Sequence, residues 1–208
     1  MDLSNENIIH VKGKKSEYIQ FRKLLKYSDK ISHAYVIGLN QNFRTAKSKT
    51  DKISKEEYDN SINCYKNICE EIGLKFENII KPFQCHTNNV KIVESKQSVD
   101  GPDFYSFQNT DGLITNKKEI VLSTTNADCI LFLLYDPVKN VVANVHSGWR
   151  GTLQRISINA IRKMKENYGC DAKDIICCIC PSIRKCHFEV DKDVYDLFCD
   201  GFKDLENY

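Results

Sequence analysis

A thiol and an imidazole flank a predicted hairpin in the middle of the chain. Cys129 ends the segment Thr-Thr-Asn-Ala-Asp-Cys, and His146 lies in the segment Asn-Val-His-Ser-Gly-Trp-Arg-Gly. The apolar runs 130–135 and 141–145 predict two strands, joined by a turn in which Pro137 takes a favoured position. Opposed residues of antiparallel strands have Cβ atoms roughly 4.5–5.5 Å apart, so this sulfur and this ring nitrogen could share one metal ion or one proton.

A catalytic metal centre built on this pair needs a third ligand, because catalytic zinc and copper centres commonly have three protein ligands and one open position. The chain contains five histidines. His10 is expected in a frayed N-terminus, and the spacing alone does not distinguish His33, His86 and His187. Each of them can instead be a buried imidazole that has a hydrogen-bond partner and binds no metal.

Length and composition exclude several classes of protein. The 208 residues suffice for one well-buried core, and no linker divides them, so we expect a single domain over residues 1–208. The net charge of +2 comes from interspersed charges, which predicts no nucleic-acid partner. The chain lacks a leader-like start and the apolar run of ~20 residues that crosses a bilayer, so we expect no membrane partner and a cytoplasmic location. A small molecule or another subunit remains as the partner, and the sequence specifies no oligomeric state.

The ten cysteines are expected to be thiols or metal ligands, because a reducing cytoplasm disfavours disulfides. Cys64 and Cys69 fit the apolar face of a predicted helix, and Cys177 and Cys178 lie in an apolar run. Free cysteine packs well as a small hydrophobe. These thiols are therefore expected in the core.

The pattern of apolar residues alternates between helical and strand-like periods, which predicts a mixed α/β fold. Helices are expected over 17–27, from the capping box Ser54/Glu57 to Gly73, from an N-cap at Thr152 to Gly169, and over 194–202. Further strands are expected at 31–38, 78–82, 90–93, 113–115, 121–122 and 175–180. Because a hairpin lies among these elements, we expect a single-domain layered sandwich with mixed β-sheets flanked by helices.

Five segments occur in an order that resembles the multicopper polyphenol oxidase, or laccase-domain, family. They are Gln-Cys-His-Thr-Asn-Asn-Val, Thr-Asp-Gly-Leu-Ile-Thr, Thr-Asn-Ala-Asp-Cys, Val-His-Ser-Gly-Trp-Arg-Gly-Thr and Ile-Cys-Pro-Ser-Ile-Arg-Lys-Cys-His-Phe-Glu-Val. The resemblance covers roughly 31–198, and five ordered motifs are far more specific than one. It implies a cysteine-hydrolase-like layered fold and a metal triad of His86, Cys129 and His146.

The resemblance also implies an activity. Members of this family are described as purine nucleoside phosphorylases with adenosine deaminase activity, which implies a nucleoside and phosphate as partners. We expect zinc as the cofactor, with copper as the alternative, because thiolate and imidazole bind zinc and the ion lowers the pKa of bound water to about 7. Phosphorolysis of adenosine or inosine, and of methylthioadenosine, needs a bound phosphate. The guanidinium of Arg150 beside a helix start is suited to bind that anion, although a surface role is about equally expected.

Two further residues are weaker candidates, and the chain also departs from the family pattern. Asp128 could orient a ligand histidine or act as a general base, or it could cap the turn. Arg44 follows a loop that is shortened relative to the family, and it is the remaining candidate for substrate contacts. Cys180 stands where the family commonly has glycine, and the domain is expected to lack the family's C-terminal segment.

Three alternatives remain open at this point. Copper-dependent oxidation of phenols requires histidine clusters beyond a single Cys/His₂ site. A metal-free cysteine hydrolase, acting for example on peptidoglycan precursors, would use His146 to activate Cys129. A purely structural zinc site would draw its ligands from one C-terminal group, Cys177, Cys178, Cys180, Cys186 and His187.

Overall fold

The computed structural model describes residues 2–38, 41–45, 53–95 and 107–203. Its strands are β1 (Ile8–Lys12), β2 (Glu17–Phe21), β3 (Tyr35–Ile37), β4 (Ile79–Ile80), β5 (Val90–Ile92), β6 (Gly112–Thr115), β7 (Val121–Leu122), β8 (Ile130–Asp136), β9 (Val141–Ser147) and β10 (Ile176–Ile179). Its α-helices are α1 (Arg22–Leu25), α2 (Lys55–Glu71), α3 (Trp149–Leu153), α4 (Ile156–Tyr168) and α5 (Lys192–Gly201).

The strands of the described residues form three sheets. The central one has five strands in the order β10-β8-β9-β6-β5, and the others have the orders β1-β2-β3 and β4-β7. Within the central sheet β5 and β6 run parallel, whereas the remaining neighbours are antiparallel. The expected mixed α/β fold is thus confirmed.

The predicted hairpin β8/β9 forms the centre of this sheet. Its register pairs Tyr135 with Val142 and Asp136 with Val141. At the turn, the Asp136 carboxylate accepts hydrogen bonds from the backbone N–H groups of Val138 and Lys139, at 2.8 and 2.9 Å. This local side-chain turn closes the hairpin without a long loop.

The two faces of the hairpin are buried against different layers. Successive side chains of a strand point to opposite faces, so β9 divides its residues between two cores. Val141, Ala143 and Val145 pack against Ile156 and other apolar residues of α4. The opposite face of β8 packs against β2 and α1, in a cluster that contains Leu131, Tyr135, Phe21, Leu24, Cys178 and Cys180.

The helix expected over 17–27 is wrong in its first half. Residues Glu17–Phe21 form β2, which pairs with β1 on one side and β3 on the other, and only Arg22–Leu25 are helical. His10, expected in a frayed terminus, lies in β1, and its ring Nε2 donates a 2.7 Å hydrogen bond to the Glu17 carboxylate. Long-range backbone pairing has overridden the local helical spacing.

The helix after the second site motif also differs from its prediction. The first turn starts after Gly148, so Thr152 lies within α3 rather than at an N-cap, and its hydroxyl donates to the Gly148 carbonyl. Arg155, at φ 58°, then separates α3 from α4. By contrast, the capping box of Ser54 and Glu57 opens α2 as predicted, and Gly169, at φ 67°, ends α4. The left-handed conformation at Gly169 is one that glycine adopts without strain.

Of the helices in the described ranges, none combines the length and the apolar character that a membrane crossing needs.

Candidate metal centre

The side chains of His86, Cys129 and His146 converge at one end of the central sheet. One ligand atom from each of the three lies within 4.8 Å of those of the other two. Cys129 Sγ is 3.8 Å from His86 Nε2, and the two imidazole rings meet edge to face with centroids 5.0 Å apart. One thiolate and two imidazoles are a donor set that suits zinc or copper. The arrangement is a possible metal site with three protein ligands.

Strand order and direction explain why these residues meet. His86 precedes β5 and Cys129 precedes β8, whereas His146 lies near the end of β9, which runs in the opposite direction to β8. The register pairs His146 with Leu131 rather than with Cys129. Cys129 was expected nearly opposite His146, but it lies two residues further along the strand. Its thiol is therefore a diagonal neighbour of the imidazole on the same face of the sheet.

A buried carboxylate that the sequence analysis did not select, Asp111, contacts both histidines. The pairing of β6 with β9 continues one residue further and sets Asp111 beside His146, whose backbone N–H donates to the Asp111 carbonyl at 2.7 Å. Asp111 Oδ1 lies 2.9 Å from His146 Nδ1 and accepts the backbone N–H of His86 at 3.0 Å. Asp111 lies in the Thr-Asp-Gly-Leu-Ile-Thr motif that contributed to the resemblance, but the resemblance assigned no role to its carboxylate.

The electrostatics of the site follow from these contacts. Burial raises the pKa of Asp111, but hydrogen bonds from His146 and Thr87 outweigh it and hold the pKa below its ordinary value. Burial alone would lower the pKa of His146, whereas the contacts with Asp111 and Cys129 raise it to about 9. Burial and the charges of His146 and Arg150 lower the pKa of His86, against the opposing effect of Asp111. The two imidazoles thus differ in how strongly they hold a proton.

Two amide side chains fix the loop that carries Cys129. Gln84 pairs with the backbone of Thr125, donating to its carbonyl at 2.7 Å and accepting its N–H at 2.8 Å. Asn126 donates to the Cys129 carbonyl at 2.5 Å and accepts the hydroxyl of Tyr35 at 3.1 Å. The loop that carries the thiol is therefore held by contacts to Gln84, which precedes His86 in the same segment, and to Tyr35 of the N-terminal sheet.

The centre opens into a cleft of about 1390 Å³. Its lining includes the three candidate ligands together with Lys81, Asn144 and Arg44. The Lys81 ammonium is almost fully buried and donates to Tyr65 Oη at 2.6 Å and to the Phe43 carbonyl at 2.8 Å. Burial lowers the pKa of Lys81 to about 7. A cleft of this size, largely apolar with a few polar groups, can admit a small-molecule substrate.

The remaining candidates lie outside the triad, and of these Arg44 and Asp128 line the cleft. Arg150 is exposed at the first turn of α3, and its guanidinium stacks on the Trp149 ring at 4.2 Å. Arg44 is exposed, and its backbone carbonyl accepts the Ser61 hydroxyl. Asp128 is also exposed, and its carbonyl accepts the Ile183 N–H at 3.0 Å. The carboxylate that contacts His146 belongs to Asp111, so a role for Asp128 stays a prediction.

The other histidines and the C-terminal cysteines lie elsewhere. His33 Nε2 accepts the backbone N–H of Phe21 at 2.7 Å, which gives this imidazole a structural role. Cys186 and His187 are in contact, and burial raises the pKa of Cys180 to about 12 in the core beside β8. Throughout the described ranges, the triad is the one group of three or more such side chains whose ligand atoms converge. The five residues named for the alternative structural zinc site all lie within these ranges, and no three of them are brought together.

The fold and the site together define a class: a mixed α/β protein with a possible Cys/His₂ metal centre at the mouth of a hairpin. Residues 46–208 match the family described as multi-copper polyphenol oxidoreductase laccase. The chain belongs to this family, and the resemblance given by its five motifs is confirmed.

Several relatives bear names that describe an activity. The chain is 31% identical over 170 residues to a purine nucleoside phosphorylase of Rickettsia prowazekii, covering 77% of this chain and 68% of the relative. It is 33% identical over 124 residues to a purine nucleoside phosphorylase of Bacteroides thetaiotaomicron, covering 59% and 46%. A protein from an unknown prokaryotic organism named adenosine deaminase RL5 is 28% identical over 131 residues, covering 62% and 49%.

Solved structures share the fold. The Bacillus licheniformis hypothetical protein YfiH superimposes with a TM-score of 0.69 at 21% identity, over 94% of this chain and 70% of that one. YlmD of Geobacillus stearothermophilus gives 0.67 at 19% identity, over 96% and 72%. The aligned segments span from about a third to about half of several curated relatives, with 32%, 46% and 55% of their lengths covered.

Proposed function

We propose that this protein is a metal-dependent enzyme acting on purine nucleosides, with phosphorolysis of adenosine or inosine as its main reaction. The observation that carries the proposal is the convergence of His86, Cys129 and His146 within 4.8 Å at an open cleft. The names of the Rickettsia and Bacteroides relatives support the class of substrate. A nucleoside and phosphate are thus the proposed partners.

The three converging residues are proposed to hold one zinc ion, with copper as the alternative. Imidazole nitrogen and thiolate sulfur are ordinary zinc ligands, and three protein ligands leave one position for a reactant. A bound zinc ion supplies Lewis-acid chemistry. The chain's own contribution is to present the ligands in a fixed arrangement, because hydrogen bonds to Asp111 and from Asn126 hold the ligand-bearing segments.

Phosphate is proposed to bind near Arg150. Its guanidinium is close enough for its charge to lower the pKa of His86, and it lies on the first turn of α3. A guanidinium binds phosphate through two parallel hydrogen bonds, which orients the anion as well as attracting it. Arg44, on the cleft wall, is proposed as a second cationic contact for the substrate.

Deamination of adenosine is a second proposed activity of the same site. One relative is named adenosine deaminase, and deamination requires an activated water but no phosphate. Phenol oxidation finds less support, because the described residues contain one converging cluster with two histidines, whereas dioxygen reduction over several coppers needs more.

A metal-free cysteine hydrolase would use the same residues and is the strongest alternative to the metal-dependent enzyme. Its support is the 3.8 Å separation of Cys129 Sγ and His86 Nε2, together with the contact of Cys129 with His146. A dyad would use a single imidazole as base, and would therefore leave one of the two converging histidines without a role. In a metal-dependent enzyme, His86, Cys129 and His146 would all have a function.

Metal analysis combined with nucleoside assays tests the proposal. Protein purified without added metal is analysed for zinc and copper, and adenosine and inosine are assayed with and without phosphate. We expect close to one metal ion per chain and phosphate-dependent release of the base. Exhaustive chelation should abolish the activity, zinc should restore it, and bound metal should protect Cys129 from alkylation. Full activity in metal-free protein, with rapid alkylation of Cys129, would instead establish the thiol mechanism.

A further inference from the structure

A single buried carboxylate joins the backbone around His86 to the side chain of His146. Asp111 has no solvent-exposed surface, and its two carboxylate oxygens take part in five hydrogen bonds. Oδ1 contacts the backbone N–H of His86 and the ring Nδ1 of His146. Oδ2 accepts the N–H of Cys85 at 3.2 Å and both the N–H and the hydroxyl of Thr87 at 2.8 Å.

The contacts on the His86 side explain an unusual backbone conformation. His86 has φ 60°, in the left-handed region that residues with a Cβ rarely adopt. In this conformation the consecutive N–H groups of Cys85, His86 and Thr87 all point at the Asp111 carboxylate. Such a run of N–H groups forms a concave anion-binding nest, and the anion it holds here is a side chain of the same chain. The carboxylate therefore stabilises the backbone conformation from which the His86 ring projects.

The contact on the His146 side determines which ring nitrogen of that imidazole carries the proton. An imidazole nitrogen that donates to a carboxylate keeps its proton, so Asp111 assigns the N–H to Nδ1 of His146. The other ring nitrogen, Nε2, is then the one that can bind a metal. Carboxylates in this position orient ligating histidines and increase their basicity.

We propose that Asp111 is a positioning residue that places both histidine ligands of the candidate metal centre through one carboxylate. It does not itself bind the metal. The inference rests on the proposed metal centre and deepens it: two ligands that are 60 positions apart (His86 to His146) depend on the same buried group. Loss of the Asp111 carboxylate should therefore lower metal affinity by more than a loss of folding stability would explain.

Zinc affinity of Asp111→Asn provides the test. The amide keeps the size of the side chain but replaces one acceptor with an NH₂ group, which would face N–H and O–H donors. The zinc dissociation constant is measured by competition with a chromogenic chelator, and the unfolding midpoint of the metal-free protein is measured in parallel. We expect a loss of zinc affinity of about tenfold to a hundredfold, the range for partners of metal-bound histidines. Asp59→Asn, an exposed carboxylate on α2 with the same charge change, is the matched control and should bind zinc like the wild type.

A second pair of variants covers the case in which Asp111→Asn does not fold. Thr87→Val removes the hydroxyl that donates to Asp111 Oδ2, whereas Thr87→Ser keeps it. Thr87→Val should lose affinity several-fold, and Thr87→Ser should retain it.

The outcomes separate the two proposals. A wild-type protein that binds zinc, together with unchanged affinity in a folded Asp111→Asn, would overturn the role of Asp111 alone. If Asp111→Asn does not fold, equal zinc affinity in Thr87→Val and the wild type would overturn it in the same way. A wild-type protein that binds neither zinc nor copper would overturn the metal centre, and the positioning role with it.

Discussion

The α-carbon of Gly148 lies directly against the imidazole ring of His86. A Cβ at position 148 would overlap His86 Cδ2 and approach Cys129 Sγ to 3.3 Å. Gly148 follows β9 immediately and caps the first turn of α3, so its backbone is fixed by the elements on both sides. His86 and Cys129 can lie this close together only because position 148 carries no side chain.

Substitution of this glycine gives the first prediction. In Gly148→Ala the His86 ring must move, because β9 and α3 hold the backbone at 148 on both sides. The three ligand atoms should then no longer converge. We expect metal affinity to fall by about tenfold or more, as for other changes that displace a ligand by about 1 Å. The unfolding midpoint of the metal-free protein should change little, because the displaced ring is solvent-exposed. Wild-type metal binding in this variant would show that the site tolerates a shifted His86.

Removal of the thiol gives the second prediction. Cys129→Ala deletes one of three ligands from a site whose loops are held by other contacts, so the protein should stay folded and lose its stoichiometric metal. Cys177→Ala, at an exposed thiol on β10, is the control and should keep both metal and activity. Retention of one ion per chain in Cys129→Ala would contradict the assignment of this ligand.

The third prediction concerns the phosphate contact. Arg150→Ala should reduce phosphorolysis by about tenfold or more while reducing deamination less, because only phosphorolysis needs the anion. The ratio of the two rates, measured with adenosine, is the readout. Arg162→Ala, an exposed arginine on α4, should leave the ratio unchanged. A parallel fall of both activities in Arg150→Ala would assign Arg150 to the nucleoside or to the structure.

Acid stability gives the fourth prediction. Burial lowers the pKa of His33 to about 4, and the neutral ring accepts the Phe21 N–H. Between about pH 6.5, the ordinary value, and pH 4 the unfolded chain binds a proton that the folded chain does not, so stability falls as the pH falls. The contribution of this residue is at most about 3 kcal/mol of unfolding free energy, and it is present above pH 6.5.

The measurement for His33 is denaturant unfolding of the wild type and His33→Gln at several pH values. Glutamine can still accept the backbone N–H but does not titrate, so its unfolding free energy should decline less between pH 6.5 and 4. Identical pH profiles for the two proteins would show that the protonation of His33 is not coupled to folding.

Sequence patterns predicted the elements whose determinants are local. The capping box at Ser54 and the glycine at 169 set the ends of α2 and α4 through contacts within a few residues. The two apolar runs on either side of the turn at Pro137 likewise predicted the hairpin that brings Cys129 and His146 to the same end of the sheet. His86 came from the resemblance to a family, because spacing alone did not separate it from His33 and His187.

The tertiary structure decided what depends on residues far apart in the chain. Residues 17–21 carry a helical spacing, yet they form a strand because β1 and β3 supply backbone partners on both sides. Asp111 contacts His146, 35 positions away, and the backbone of His86, 25 positions away. Gly148, which follows β9, lies against the ring of His86, which precedes β5. Such contacts arise from strand register and order, which fix distances between segments that no local pattern relates. The sequence by itself thus determined which side chains could bind a metal, whereas only the assembled sheet determined which carboxylate and which glycine hold them in place.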